Sequence, residues 1–351
     1  MADGIYFKLR EQLGKYSLGF PATKSEVEIR ILEKIFSEEE ARMYLNLSMA
    51  PETPKALAER LKRDPETLSS FLEEMAVKGL LFRIRAKGEV MYTAAPFMIG
   101  IYENMIDRMD PELAKLFELY WQEAWLPHFS KLPVPLRFIP IKKSLEPDIS
   151  VSPHDQIRDY IKSKDRIAIA ECICRKQKIL VGEGCGKPLE TCMIFDWYAD
   201  YFVENQQGRY ISREEALEIQ DRCDEAGLVT LSNNIKNSIV VCHCCECCCV
   251  SLRALNMRSL VLEGIAANYY AEVDPDLCSG CETCIERCQT GALSIGEDNC
   301  AVVDRNRCIG CGVCVTVCPV EALRLKQKPE NEQKNELLDP VEASRLLAKF
   351  R

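Results

Sequence analysis

Apolar residues recur at helical spacing in the first part of the chain. Between residues 27 and 35 they lie three and four positions apart, as on one face of an α-helix: Val27, Ile31, Leu32 and Ile35. Ser37 and Glu40 have the spacing of a capping box, in which two side chains bind backbone N–H groups at a helix start. The pattern therefore predicts two successive helices, the second running toward Leu47.

Two further helices and a hairpin are predicted after these. Proline begins both helical stretches and glycine follows the second, which is typical of helix starts and stops: residues 54–61 and 65–78. Two β-type stretches then flank a Lys-Gly turn: residues 80–85 and 89–93. Helices followed by such a hairpin, over residues 25–95, resemble the winged-helix family. The resemblance implies a module that binds DNA or docks a protein.

The next part of the chain is helical and then becomes rich in proline. Residues 97–132 carry an apolar and aromatic stripe, which is typical of a buried core. Five prolines then disfavour helix and predict an extended connection: Pro133, Pro135, Pro140, Pro147 and Pro153. We expect a domain boundary near residue 153, followed by a strand over residues 166–174 that carries the first two cysteines.

Cysteine is the anomaly in the composition. The chain has 20 cysteines in 351 residues, all between Cys172 and Cys318, beside an ordinary 47% of hydrophobic and 28% of charged residues. A chain of this length forms two or three domains, so it does not need disulfides to fold and its thiols are free to bind metal. No apolar run is long enough for a membrane span, and the first residues do not resemble a signal peptide. We expect a soluble, cytoplasmic protein without membrane insertion.

The charge pattern argues against DNA as a partner. The net charge is −9, and residues 1–90 carry 15 basic and 15 acidic side chains. The helix that would enter the major groove, over residues 65–78, has three glutamates against one lysine, whereas a phosphate-binding surface is basic. Near the hairpin only Arg83, Arg85 and Lys87 are placed to contact phosphate, and such a group is more typical of a solvated surface.

The most specific motif lies near the C-terminus. Four cysteines have the spacing C-x2-C-x2-C-x3-C, and a second set repeats it 30 residues later, with Pro319 following: Cys278, Cys281, Cys284 and Cys288, then Cys308, Cys311, Cys314 and Cys318. Structural zinc would not need this spacing. Residues 272–325 strongly resemble the bacterial two-[4Fe-4S] ferredoxin family.

The ferredoxin resemblance implies two cubane clusters with crossed ligation. It assigns one cluster to Cys278, Cys281, Cys284 and Cys318, and the other to Cys308, Cys311, Cys314 and Cys288. The chain departs from the family at Gln289, where proline is common. This departure concerns the local geometry around Cys288.

Twelve cysteines lie outside the ferredoxin motif. Cys223 and Cys300 are isolated, and we expect them to be ordinary buried thiols. The other ten are candidate metal ligands in two clumps: Cys172, Cys174, Cys185 and Cys192, then Cys242, Cys244, Cys245, Cys247, Cys248 and Cys249.

Each clump begins with Cys-x-Cys at the end of an apolar run. Residues two apart on a strand share a face, so two neighbouring strands would present four thiolates together, with Arg175, Lys176 and Lys178 offsetting their charge. After Cys245 the pattern predicts a helix to about residue 262. We expect the ten thiols to bind at least one further iron–sulfur cluster. Zinc and a metal-free dithiol or disulfide centre are the alternatives.

The upstream cysteines carry two further resemblances. The order Cys-x-Cys-Arg, two more cysteines and a Cys-His-Cys-Cys-x-Cys-Cys-Cys run before a ferredoxin domain is similar to a group of 4Fe-4S proteins from strict anaerobes. Adjacent pairs such as Cys244 and Cys245 resemble the ligands of non-cubane clusters in heterodisulfide reductase subunits, although the longer spacings differ.

These features predict an iron–sulfur electron-transfer protein or oxidoreductase subunit of anaerobic metabolism. Its two ferredoxin clusters would relay electrons to or from the upstream centre. No nucleotide-binding motif is present, so we expect a redox partner protein, a flavoprotein or a dehydrogenase. The alternative is an iron–sulfur, redox-sensing transcription regulator with a winged-helix DNA-binding domain.

The expected fold is α+β and multi-domain. A helical, winged-helix-like domain (residues 1–96) is followed by a helical and proline-rich connector (97–152). A cysteine-rich α/β domain (153–271) precedes a ferredoxin-like βαβ-repeat domain with two [4Fe-4S] clusters (272–325). A polar linker with a short C-terminal helix (326–351) ends the chain.

Overall fold

The computed structural model describes residues 4–86, 88–132, 136–145, 155–258, 265–334 and 338–339. Its first part consists of five helices, of which the last three begin at capping residues. Ser37 and Glu40 form the expected capping box, and Thr53 and Asp64 each cap a helix whose first residue is proline. The helices are α1 (Ile5–Gly14), α2 (Val27–Ile35), α3 (Glu38–Tyr44), α4 (Pro54–Leu61) and α5 (Pro65–Val77).

An antiparallel hairpin follows these helices. Its strands are β1 (Leu81–Ala86) and β2 (Glu89–Ala94), with Leu81 opposite Ala94. Lys87, in the turn between them, lies outside the described residues. The expected order of helices and hairpin is therefore present, and the assignment to the winged-helix family stays a prediction.

An aromatic core connects the hairpin to the second half of the chain. Helix α6 (Pro111–Tyr120) begins at Asp110, and a wide helical turn (Trp121–Trp125) leads into α7 (Leu126–Phe129). The rings of Phe117 and Trp121 stack at 5.6 Å, and both side chains are buried. These residues of the apolar and aromatic stripe, which the sequence predicts to be buried, therefore lie in the core.

A six-stranded antiparallel sheet forms the cysteine-rich part of the molecule. Its strands are β3 (Leu136–Ile139), β4 (Ile167–Glu171), β5 (Glu190–Phe195), β6 (Gly208–Tyr210), β7 (Val229–Asn233) and β8 (Val240–Cys244). The spatial order is β3-β7-β8-β5-β4-β6. Strand β3 comes from the proline-rich stretch, so the sheet includes part of the predicted connector. Residues 146–154 of that stretch lie outside the described residues.

Five helices accompany this sheet in the described part of the chain. They are α8 (Ile157–Lys162), α9 (Ile173–Leu180), α10 (Asp196–Glu204), α11 (Arg213–Glu225) and α12 (Val250–Asn256). Helix α10 packs against the hairpin, because Phe82 of β1 contacts the rings of Trp197 and Tyr198 at 5.4 Å each. The front module is therefore joined to the cysteine-rich sheet by an aromatic contact.

The last domain has the strand–helix–strand order expected of a repeat. The first copy contains β9 (Tyr269–Val273), α13 (Thr283–Arg287) and β10 (Leu293–Ile295), and the second contains β11 (Ala301–Val303), a helical turn (Val315–Val317) and β12 (Leu323–Gln327). Strand β9 pairs with β12, and β10 pairs with β11, both antiparallel. The pairing of β9 with β12 joins the two copies.

No helix among the described residues is long and apolar enough to cross a membrane. The short helix expected near the C-terminus falls on residues 340–351, which lie outside the described part.

Candidate metal centres

Two hollows of equal size lie in the C-terminal domain, each with about 340 Å³ of empty space including its open mouth. The first is lined by Cys278, Cys281, Cys284 and Cys318. The second is lined by Cys288, Cys308, Cys311 and Cys314. The fold thus brings three cysteines of each copy to one hollow together with the fourth cysteine of the other copy.

Backbone N–H groups donate to the sulfurs of these hollows in a repeated pattern. Each copy's fourth cysteine accepts from an alanine four residues later, at 3.2 Å: Ala292 to Cys288 and Ala322 to Cys318. Each copy's first cysteine accepts from an alanine of the other copy: Ala301 to Cys278 at 3.4 Å and Ala271 to Cys308 at 3.3 Å. Such N–H donors stabilise thiolates that bind a cluster.

Two glycines keep the cysteine loops close to neighbouring backbone. Gly280 and Gly310 have φ of +68° and +63°, in the left-handed region that favours glycine. A Cβ at Gly310 would lie 2.2 Å from the carbonyl oxygen of Tyr269. The spacing of these loops therefore requires glycine between the first two cysteines of each motif.

Burial disfavours the thiolate form of three cysteines in the second hollow. It raises the pKa of Cys308 and Cys314, and it raises the pKa of Cys311 to about 12. Thiolates would be unstable there without a compensating cation. Cluster iron supplies that cation, so the donor set fits an iron–sulfur group.

The ten upstream thiols separate into two groups, and the division does not follow the two clumps in the sequence. We call the first the six-thiol group because its side chains interact in a continuous series: Cys172, Cys174, Cys249, Cys244, Cys242 and Cys192. The second, the four-thiol group, consists of Cys185, Cys245, Cys247 and Cys248.

The six-thiol group lies where strand ends meet two helix starts. Cys242 and Cys244 share one face of β8, as expected for residues two apart on a strand. Cys172 and Cys249 each stand immediately before a helix, α9 and α12. Both helix starts therefore stabilise negative charge on the group.

This arrangement corrects two expectations. The strand over residues 166–174 ends at Glu171, and Cys174 lies in the first turn of α9. Strands β4 and β8 are not neighbours, because β5 lies between them and contributes Cys192. Periodicity alone did not reveal the inserted strand, since strand order is a tertiary property.

Hydrogen bonds between thiols give the members of the six-thiol group different pKa values. The thiols of Cys192 and Cys244 donate to Cys242 and hold its pKa well below the usual range. Cys174 and Cys244 likewise lower the pKa of Cys249 to about 5. The hydrogen bonds thus favour negative charge on Cys242 and Cys249 over negative charge on their partners. Metal cations are able to displace such shared protons.

Arg175 lies between the two thiol groups and is buried. Its guanidinium donates to Thr191 Oγ1 at 3.0 Å and to the carbonyl of His243. Burial acts to lower the pKa of Arg175, but negative charge on Cys172 and on Cys245 of the other group would act more strongly and raise it overall. Among the described residues the Nε of Arg175 has no hydrogen-bond partner, so this N–H remains able to donate to an acceptor in either thiol group.

The two lysines expected to act with Arg175 do not face the thiols. Lys176 pairs with Glu171 at 2.7 Å, and Lys178 pairs with Glu183 at 2.6 Å. The arginine therefore supplies the local positive charge.

Side chains from the connector complete the surroundings of the six-thiol group. Burial raises the pKa of Tyr102, whose hydroxyl also lies beside Cys174. Burial raises the pKa of Glu103 to about 8, and the carboxyl lies beside Cys242. The sequence predicted only a buried apolar and aromatic stripe over residues 97–132, so the place of Tyr102 and Glu103 near the thiols was not foreseen.

The four-thiol group is more compact. All four sulfurs lie within 4.8 Å of one another. Cys185 is 3.9 Å from Cys245 and 3.7 Å from Cys248, and Cys247 is 3.7 Å from Cys248. Cys185 comes from the loop after α9, and the other three come from a turn after β8. The predicted helix over residues 245–262 instead begins at Val250, and residues 259–264 lie outside the described chain.

The remaining polar and thiol side chains of this region are engaged elsewhere. His243 faces away from Cys242 and Cys244, with ring nitrogens 2.7 Å from the Thr191 carbonyl and 2.9 Å from Gln220. Cys223 is buried in α11, and the half-buried Cys300 lies 3.6 Å from the Pro275 carbonyl.

Gln289 connects the four-thiol group to the C-terminal domain. Its side-chain oxygen accepts from the backbone N–H of Glu246 at 2.9 Å, and its carbonyl accepts from Asn256 at 3.0 Å. Glu246 lies between two members of the four-thiol group, and Gln289 follows Cys288 of the second hollow. Gln289, which stands where the ferredoxin family commonly has proline, therefore lies at a contact between domains.

Comparison with known proteins identifies one segment of the chain. Residues 271–325 match a family model described as a 4Fe-4S dicluster domain. Neither the comparison with curated proteins nor the comparison with solved structures gave a match. The C-terminal domain is therefore similar to 4Fe-4S dicluster domains, and the match supports iron–sulfur cluster binding.

Proposed function

We propose that the protein is an iron–sulfur electron-transfer protein or oxidoreductase subunit. Two [4Fe-4S] clusters in the C-terminal domain exchange electrons with a further iron–sulfur centre held by the six-thiol group. The observation that carries the proposal is continuity of the core. Cys244 and Cys249 belong to the same buried cluster as Ile309 and Val313 of the second cysteine motif, and Cys311 packs against it.

The crossed sets of the two hollows are the proposed cluster ligands. Each set supplies four thiolates, with N–H donors directed at two of them. When bound, the clusters supply one-electron redox chemistry. The protein positions the sulfurs and supplies N–H donors.

A polynuclear centre suits the six-thiol group. A single tetrahedral ion takes four ligands, which would leave two of the six thiols unused. Within the described chain, the four-thiol group is the one set of three or more potential ligands whose atoms all lie within 4.8 Å of one another. The six sulfurs are thus spread around a larger volume, which several iron atoms would share.

The two ferredoxin hollows differ in the exposure of their cysteines. Cys281 of the first hollow is exposed and Cys284 is buried, whereas the second hollow has two buried cysteines, Cys308 and Cys314, and no exposed one. Val320 on the first hollow is 40% exposed, and Leu277 beside Cys278 in the chain is 52% exposed. We propose that a redox partner, a flavoprotein or a dehydrogenase, docks at the first hollow. The second hollow would then pass electrons inward.

The charges of the front module support electron transfer over transcription regulation. Arg83 is buried and pairs with Glu204 of α10 at 2.7 Å, and Arg85 pairs with the same carboxylate at 2.9 Å. Both cations of β1 are therefore used within the chain. We propose that the module acts in protein contact and that DNA is not a partner.

Metal analysis tests the proposal. Anaerobically purified protein should contain more than about eight iron atoms per chain, the content of two [4Fe-4S] clusters. Cys172→Ser and Cys242→Ser should lower the iron content and change the spectrum of the additional centre, while the ferredoxin signals remain. Cys223→Ala, which removes a buried thiol outside both groups, is the control. Unchanged iron in both serine variants would contradict the proposal.

A further inference from the structure

We propose that the four-thiol group binds one zinc ion that is separate from every iron–sulfur cluster. The site consists of Cys185, Cys245, Cys247 and Cys248. It extends the proposed function without depending on it, since zinc carries no electrons.

The sulfur spacing favours a single ion. Four thiolates about 2.3 Å from a central zinc form a tetrahedron with edges of about 3.8 Å. The contacts of Cys185 with Cys245 and Cys248, at 3.9 and 3.7 Å, and that of Cys247 with Cys248, at 3.7 Å, match such edges. One ion at the centre would therefore reach all four sulfurs with little movement.

The same structure provides an internal comparison. In a cubane each cysteine binds a different iron at a separate corner, so its thiolates stand apart. No three cysteines of either ferredoxin hollow, all of which the structure describes, have sulfurs within 4.8 Å of one another, whereas all four of this group do. The fold thus spaces thiols differently for the two kinds of centre.

The chemistry of the donors also fits zinc. Four thiolates fill every position of a tetrahedral ion, which is typical of structural zinc and leaves no open position for substrate. Four thiolates around a divalent cation carry two excess negative charges. The Arg175 guanidinium, which lies near Cys245, offsets part of that charge.

The position of the group indicates what the ion would do. Cys185 is 60 residues from Cys245 in sequence and lies on a loop in which Gly182 and Gly186 have positive φ. A zinc ion would tie this loop to the turn after β8. Glu246 in that turn donates to Gln289, so the ion would also fix the contact with the second ferredoxin hollow.

The test measures zinc and iron together in anaerobically purified full-length protein. We expect about one zinc per chain, with four sulfur neighbours at about 2.3 Å in X-ray absorption at the zinc edge. Cys247→Ser changes an exposed thiol, so the fold should persist. It should lose most of the zinc and retain the iron, and Cys185→Ser should behave in the same way. Cys300→Ser, which alters a thiol outside the group, should keep both metals.

Four results would overturn the proposal. Zinc absent from the parent protein, or retained in full by both serine variants, would reject the site. Loss of several iron atoms from Cys247→Ser would show that the four thiols bind a cluster. A single iron ion in place of zinc would reject the metal assignment. The far-ultraviolet circular dichroism of Cys247→Ser, compared with that of the parent protein, reports separately whether the variant has folded.

Discussion

Gln289 illustrates how much a single side chain contributes at a domain contact. It is 4% exposed and accepts from Glu246, and its amide nitrogen donates to the Arg287 carbonyl at 3.0 Å. Proline at this position would provide neither side-chain bond. The sequence marked Gln289 as a departure from the ferredoxin pattern. It did not show the reason, because the partner lies 43 residues away.

Gln289→Ala should destabilise the protein by about 0.5–1.5 kcal/mol, because the backbone N–H of Glu246 would lose its part-buried hydrogen bond. The free energy of unfolding, measured anaerobically with denaturant, checks the expectation. Iron content should stay at the parent level, since no proposed ligand is changed. Glu286→Ala removes an exposed side chain in the same domain and should have a much smaller effect. Equal effects of the two changes would contradict the role assigned to Gln289.

At the scale of elements, capping residues made the front helices predictable while the cysteine-rich elements were not. Ser37 and Pro54 act locally, so sequence and structure agree there. The six-thiol group depends on β5 lying between β4 and β8, and hydrophobic periodicity does not report strand order. The turn at residues 245–248 was predicted as helix because its cysteines have an apolar pattern. In the structure Cys245 and Cys248 belong to the four-thiol group and Cys249 belongs to the six-thiol group, a division that one continuous helix face would not permit.

The crossing of the two ferredoxin copies gives a prediction at this scale. Cys318→Ala should damage the cluster of the first hollow, because Cys318 lines that hollow with Cys281. Its spectrum and iron loss, about four atoms per chain, should match those of Cys281→Ala. They should differ from those of Cys311→Ala, which alters the second hollow. A match between Cys318→Ala and Cys311→Ala would show that the ligands do not cross.

At the scale of the whole molecule, the front module is attached to the redox part rather than free. Phe82 packs on α10, and Arg83 pairs with Glu204 from the same helix. The sequence predicted the helices and the hairpin, and it interpreted the three cations near the turn as a solvated surface. Instead Arg83 is buried in an ion pair, a contact across 121 residues that local pattern does not encode.

DNA binding by the full protein should be weak and independent of sequence. At physiological salt, where weak phosphate contacts are screened, its own operon's promoter should bind no more than random duplex does. Binding should be measured with reduced and with oxidised clusters. Promoter binding at least about a thousandfold tighter than random duplex would establish the regulator instead. Electron transfer from the reduced protein to a co-encoded flavoprotein or dehydrogenase is the expected activity.

The two cysteine motifs, 30 residues apart, also bear on the direction of electron transfer. A duplicated domain begins with two equivalent ends, and here the equivalent positions have diverged: Gln289 is buried against a neighbouring domain, whereas Pro319 is exposed. The end of the first copy now forms a contact inside the molecule, and the end of the second copy remains exposed. Symmetry within the duplication would allow electrons to enter at either end, whereas attachment on one side would leave a single entrance. Under the proposed function, electron flow would therefore acquire its direction from the loss of equivalence between two similar halves.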